Sequence, residues 1–293
     1  MIKNIIKESR PPTLFVGLLS TVLGIILAYR NNFFSESLGW NLWIIFLVVL
    51  AAILLQSAIN LMNNYFEEDV SEELLSKRQD CFLGYKRSYE EIFTFKTGII
   101  FFIITALIGF YLSYYVGKQL LIIEFVGIFA AYSYSGEPFN YKKFGIGSIM
   151  SFIMMGPLLA YASYYVFSSA FSIEPILYSF TNGLFIPAIL IANEIRDYEE
   201  DSRRKIRTLT VRIGYKNGII IYYLLIIFTY IDTLLFVFLG YMPKWCLIVL
   251  ATIPFIKNIK EYIDTQKHKL VPFTAKFYMI FSVVLYIILI FTK

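Results

Sequence analysis

Histidine occurs once in the 293 residues, at His268, and cysteine twice, at Cys81 and Cys246. A single histidine excludes a multi-histidine metal centre and argues against a histidine-dependent catalytic triad. Two cysteines this far apart imply neither a disulfide framework nor a cysteine-based metal site. Charge is scarce as well: 16% charged residues stand against 58% hydrophobic and 18% aromatic ones, a balance no ordinary soluble domain shows. No Gly-rich phosphate loop, heptad pattern, short repeat or soluble domain is present. The net charge of +5 lies in the connections between apolar runs, which gives no footing for a nucleic-acid partner.

What is present is a succession of apolar runs of membrane-helix length. Nine are expected, in one helical domain covering residues 1–293: Leu14–Tyr29, Trp43–Asn63, Phe93–Val116, Leu120–Tyr134, Ile146–Phe167, Pro175–Ala192, Gly218–Leu239, Trp245–Ile256 and Phe273–Phe291. The eighth is short and contains Pro254. The first run has no small-residue cleavage site, so it reads as a retained span and not as a signal peptide. With the N-terminus in the cytoplasm, this arrangement puts twenty Lys and Arg on the inner side and four on the outer. That bias is the positive-inside pattern. It places the connections after the second and sixth spans on one cytoplasmic face of a cell membrane.

The most informative stretch, Asn193 to Gly214, follows the sixth run directly. On a helix Asp197 and Asp201 are one turn apart and project from one face, with Asn193 one turn earlier. Two carboxylates so spaced suit a hard divalent cation, and Mg²⁺ favours carboxylates together with substrate phosphates. Arg203, Arg204, Lys205, Arg207 and Arg212 follow, suited to the remaining charge of a pyrophosphate. The competing reading is a solvated loop whose acids and bases pair with one another.

Two further stretches share that face. After the second run, Asn60, Asn64 and Glu67 follow i, i+4, i+7 spacing with Asn63 beside them, polar residues that need a cavity, a partner or the membrane surface. Between the fourth and fifth runs, Lys142 and Lys143 are placed to meet phosphate. Tyr132, Tyr134, Phe139 and Tyr141 offer rings that stack or shield a cation, although tyrosine is also simply common at membrane interfaces. In the fifth run, Gly156 and Ala160 make a small-xxx-small pair suited to close helix packing.

Together these stretches resemble the UbiA superfamily of intramembrane prenyltransferases. The resemblance rests on Asn193, Arg196, Asp197 and Asp201, followed by Arg207-Thr208-Leu209 and Arg212-Ile213-Gly214. It extends to the branch that prenylates 1,4-dihydroxy-2-naphthoate in menaquinone biosynthesis. There it is carried by the Asn60–Tyr65 run, Tyr134-Ser135-Gly136, Tyr141, Gly145, Gly147, Gly156-Pro157 and Tyr164-Tyr165. The resemblance implies an all-α bundle of nine transmembrane helices around a cavity open to the cytoplasm. It also implies Mg²⁺-dependent transfer of a polyprenyl group from its diphosphate to an aromatic acceptor. Asp197 and Asp201 would hold one Mg²⁺, and Asn64 and Glu67 another. Lys142, Arg196, Lys205 and Arg207 would take phosphate charge, with Asn63, Tyr141 and Asn193 also at the substrate. Asn60, Tyr132 and Tyr134 would face the cavity and shield the allylic cation. Asn64 and Glu67 depart from the family, which has Asp or Glu and then Asp at these positions, and Ser148 stands where an acid is common. A membrane terpene cyclase within the same fold, and a transporter outside it, are the alternative functions.

Overall fold

The computed structural model describes residues 2–66 and 80–292, whose regular structure is helical apart from one small hairpin. Helix α1 (Ile2–Glu8) leads into α2 (Pro11–Arg30) and α3 (Leu38–Phe66). Strands β1 (Asp80–Phe82) and β2 (Tyr85–Arg87) pair antiparallel, with Asp80 opposite Arg87. Helix α4 (Tyr89–Val116) starts at a capping box. There the Ser88 hydroxyl accepts from Glu91 N, and the Glu91 carboxylate accepts from Ser88 N. Helices α5 (Gln119–Ser133), α6 (Gly147–Ser168), α7 (Glu174–Gly183) and α8 (Phe185–Arg203) follow. After α9 (Leu209–Ile213) come α10 (Tyr215–Phe238), α11 (Ile256–Thr265) and α12 (Lys267–Phe291).

Among the described residues, seven helices are long and apolar enough to cross a membrane, α7 and α8 together forming one of them. The two remaining expected spans are of a different kind. The fourth is the 15-residue α5, about 22 Å long at the α-helical rise. The eighth is wound as a 12-residue 3₁₀ helix, Lys244–Phe255, running into α11. At about 2 Å per residue such a segment reaches roughly 24 Å, further than an α-helix of equal length. Helices α3 and α8 continue beyond the expected ends Asn63 and Ala192, to Phe66 and Arg203. The described part of both polar motifs therefore rides on rigid helix.

Small residues let the helices approach. A Cβ on Gly24 of α2 would collide with the carbonyl oxygen of Ala160 on α6. A Cβ on Gly156 would stand 3.9 Å from Gly183 Cα on α7. The expected small-residue pair in α6 thus packs against two different helices. Around Pro157, which has no N–H to donate, α6 widens into a π turn over Met154–Leu158. Buried hydroxyls join helices where apolar packing alone gives no specificity. Tyr222 shares a 2.7 Å hydrogen bond with Thr274, and Asn182 donates to Tyr286 Oη at 2.7 Å.

Candidate active site

A cavity of about 1260 Å³ opens between the helix ends that carry the polar motifs. Helix α3 brings Asn60, Asn63 and Asn64 to its wall, and α8 brings Asn193, Arg196, Asp197 and Asp201. The connection after α5 adds Tyr134, Tyr141 and Lys142, and the chain beyond α8 adds Lys205 and Arg207. Behind this polar mouth an apolar arm continues between α3, α4, α5 and α6, past Ala52, Leu55, Leu112, Ile123 and Leu158. Glu67 lies outside the described residues.

Tyr132 does not join this wall. Its hydroxyl donates to Glu137 O at 2.8 Å, and its ring packs beside the cluster of Tyr65, Phe66 and Phe95. The expectation that Tyr132 and Tyr134 both face the cavity is therefore corrected. Residues two apart on a helical turn diverge by about 200°.

Asp197 and Asp201 do share the cavity face, but in different states. Arg196 grips Asp197 with two hydrogen bonds of 2.7 and 2.6 Å, a fork that occupies both carboxylate oxygens. Asp201 has no such partner among the described residues. The like charges of Asp197, Glu194 and Glu200 and the opposite charge of Lys142 surround it. Glu194, unremarked in the sequence, accepts Thr210 N at 2.7 Å and so fixes α9 against α8. Glu200 pairs with Arg204 at 2.6 Å, both exposed and both lining the cavity.

Across the mouth, the asparagines of α3 are tied to the N-terminal segment. Asn60 Nδ2 donates to Ser9 O at 2.7 Å and to Thr13 Oγ1 at 2.8 Å. Asn64 Nδ2 donates to Glu8 O at 3.1 Å, while its carbonyl oxygen accepts Arg10 Nη2 at 2.6 Å. Burial raises the Glu8 carboxyl above the usual carboxylate range, opposed by hydrogen bonds from Thr94 and Asn64. Arg10, which also lines the cavity, is the functional candidate that sequence reasoning missed. It lies 54 residues from its partner. The one available signal was Asn64, a neutral oxygen at a position expected to carry charge.

Lys142 closes the ring. Its ammonium donates to Asn63 Oδ1 at 3.1 Å and lies 6.0 Å from the centre of the Tyr134 ring. Tyr134 and Tyr141 meet edge to face at 5.6 Å. The Tyr141 hydroxyl donates to Ala130 O at 3.0 Å, and burial pushes its phenol well above the ordinary value. A tight turn at Gly145, with φ of +75°, returns the chain to α6 beside Arg212.

The donor set suits a hard cation only in part. No group of three or more His, Cys, Asp or Glu side chains converges among the described residues. Two carboxylates on one helical face, crowded by like charge, are nonetheless the partial, oxygen-only set that Mg²⁺ accepts when substrate phosphates and water complete its shell.

The profile of the UbiA prenyltransferase family matches residues 17–281. The chain is 25% identical over 261 residues to the 2-carboxy-1,4-naphthoquinone phytyltransferase of Synechocystis, covering 87% of this chain and 82% of that one. It is 23% identical to the 1,4-dihydroxy-2-naphthoate octaprenyltransferase of Bacillus subtilis, over 88% of this chain and 81% of that protein. Among solved structures it is similar to a UbiA homologue from Archaeoglobus fulgidus bound to GPP and Mg²⁺. That likeness has a TM-score of 0.66 at 16% identity and covers 98% of this chain and 99% of the other.

Proposed function

The chain belongs to the UbiA prenyltransferase family, and on that premise we propose that it transfers a polyprenyl group from an allylic diphosphate to an aromatic acceptor of the 1,4-dihydroxy-2-naphthoate class. It is a multi-pass membrane enzyme that moves prenyl groups. The finer reading takes residues 1–293 as one domain of nine spans, α5 and the 3₁₀ segment included, in the cell membrane with the cavity mouth facing the cytoplasm. The observation that carries it is the shape of one cavity. Two polar motifs face each other at its mouth, and a single apolar arm runs from that mouth into the bundle.

Each end of the donor then meets matching chemistry. Lys142, Lys205, Arg207 and Arg10 bring positive charge to the diphosphate, and the apolar arm takes the chain. The allylic C–O bond breaks heterolytically, the electron pair leaves with diphosphate, and an aromatic ring carbon then bonds to the cationic carbon and loses its proton. Mg²⁺ held by Asp197 and Asp201, with Glu67 and Asn64 as candidates on the facing motif, would neutralise the departing diphosphate. Asn63 and Asn193 orient substrate at the mouth, and Arg196 holds Asp197 in place until its oxygens are needed. Tyr134 presents a ring face that stabilises positive charge, braced by the Tyr141 edge. Asn60 positions the wall by fastening α3 to the residue 9–13 segment.

The names of the relatives favour a naphthoate acceptor, and the Archaeoglobus structure holds an allylic diphosphate with Mg²⁺. The test is product analysis with purified protein, Mg²⁺ and an allylic diphosphate, with and without 1,4-dihydroxy-2-naphthoate. A prenylated naphthoate is the expected product. A cyclic hydrocarbon formed without acceptor would replace this reading with a terpene cyclase, and undiminished activity in excess EDTA would remove the metal from it.

A further inference from the structure

The apolar arm contains one group that prenyl transfer does not require. Glu124 is the only carboxylate between Glu91 and Glu137, and it lies in the wall of the arm beside Thr105, Gly109 and Gly127. Its carboxyl is folded onto Gly109 of α4, so closely that a Cβ at that glycine would collide with the carboxyl carbon and both oxygens. One carboxyl oxygen, Oε1, is buried and has no hydrogen-bond partner among the described residues. Nothing in the protein's described part solvates that oxygen.

Its depth is fixed by the helix. Tyr134 caps α5 in helical geometry, and Glu124 stands ten residues earlier on the same helix. Ten residues amount to about 15 Å along the axis. An isoprene unit has four main-chain bonds of about 1.5 Å each and spans roughly 5 Å when extended. A diphosphate seated at the mouth therefore sends the end of a chain of about three units to the level of Glu124.

We propose that Glu124 sets the upper length of the allylic chain this site accepts, by placing an unpartnered carboxyl in the wall of the arm at the point the chain must pass. The inference rests on the prenyl-donor reading and deepens it. A chain that stops short leaves the arm-facing side of the carboxyl open to solvent. Oε1 is buried with or without a donor and does not discriminate. A longer chain covers the remaining, half-exposed side of the carboxyl with hydrocarbon and gives it no hydrogen bond in return, a cost absent for every shorter donor. Length discrimination of this kind is a threshold. Each added unit buries more hydrocarbon, and the penalty arises only once the chain reaches the acid.

The experiment is binding, so that neither acceptor nor turnover enters it. Unreactive thiolo-diphosphate analogues of geranyl, farnesyl, geranylgeranyl and octaprenyl chains are titrated against the full-length protein in lipid nanodiscs. The parent is expected to bind the farnesyl analogue about tenfold or more tighter than the octaprenyl one. Glu124→Leu is expected to abolish that preference while leaving geranyl binding intact, which also reports that the site is folded. Glu124→Gln keeps a group that needs hydrogen bonds and should keep the preference. Gly109→Ala drives the carboxyl off α4 into the arm, and should weaken farnesyl binding relative to geranyl. The same farnesyl-to-octaprenyl ratio in the parent and Glu124→Leu, or no length preference in the parent, overturns the role of Glu124 alone. Failure of the parent to bind any analogue overturns the donor reading on which it rests.

Discussion

Restoring a carboxylate at position 64 is the perturbation whose outcome depends most on tertiary structure. By charge alone, Asn64→Asp should strengthen cation binding at the motif on α3. The geometry says otherwise, because Arg10 Nη2 already lies 2.6 Å from the Asn64 carbonyl oxygen. A carboxylate built there forms an ion pair before it forms a metal ligand. The substitution also replaces the nitrogen that donates to Glu8 O at 3.1 Å, so oxygen then faces oxygen and the carboxylate is driven further toward Arg10. Arg10 is exposed, which holds the pair to about 1 kcal/mol, the upper end for solvated ion pairs. That corresponds to about fivefold in an equilibrium constant. Asn64→Asp alone should therefore leave the Mg²⁺ concentration for half-maximal turnover within about twofold of the parent. Adding Arg10→Gln should free the carboxylate and lower that concentration about fivefold. The assay is an Mg²⁺ titration of prenyl transfer for the parent, both single variants and the double variant, read as a double-mutant cycle. If Asn64→Asp alone lowers the Mg²⁺ requirement as far as the double variant does, Arg10 does not hold that oxygen and the reasoning fails.

Asp201→Asn removes the carboxylate of α8 that no arginine fork occupies, and should cost about 100-fold or more in turnover at saturating donor; near-parental turnover would exclude Asp201 as a ligand. Tyr134→Phe keeps the ring face over which Lys142 sits and should retain activity within about twofold, whereas Tyr134→Ala should lose about tenfold. Equal losses would assign the effect to the hydroxyl. Gly24→Ala puts a methyl against Ala160 O, and overpacking should outweigh the gain in helix propensity by about 1–2 kcal/mol. Thermal unfolding in detergent at fixed scan rate reads it, and an unchanged or raised midpoint would show that α2 and α6 can separate without loss.

Much of this protein was legible from short windows of sequence. Hydropathy depends on about twenty consecutive residues, so the apolar segments could be read in order before any contact was known, and seven helices among the described residues are long and apolar enough to cross a membrane. Helical spacing is equally local, which is why Asp197 and Asp201 were placed on one face and are found lining one cavity. The same locality explains the errors. Tyr132 and Tyr134 looked equivalent in composition, yet two steps of helical rotation send one ring to the cavity and the other into a packed aromatic cluster. The eighth segment, short and carrying Pro254, is wound as a 3₁₀ helix, a winding that hydropathy does not report.

The chain by itself therefore determined that these residues form apolar helices with polar ends, because both properties arise among neighbours in sequence. Which helix ends meet was decided by tertiary structure alone. Gly24 against Ala160 and Gly156 against Gly183 set how closely helices approach, and that approach depends on pairs of surfaces far apart in the chain. Only there does Arg10 come to rest on Asn64 and the Glu124 carboxyl on Gly109, since neither contact has a periodic or compositional trace. Side chains 54 residues apart are joined by the geometry of the bundle that the sequence builds.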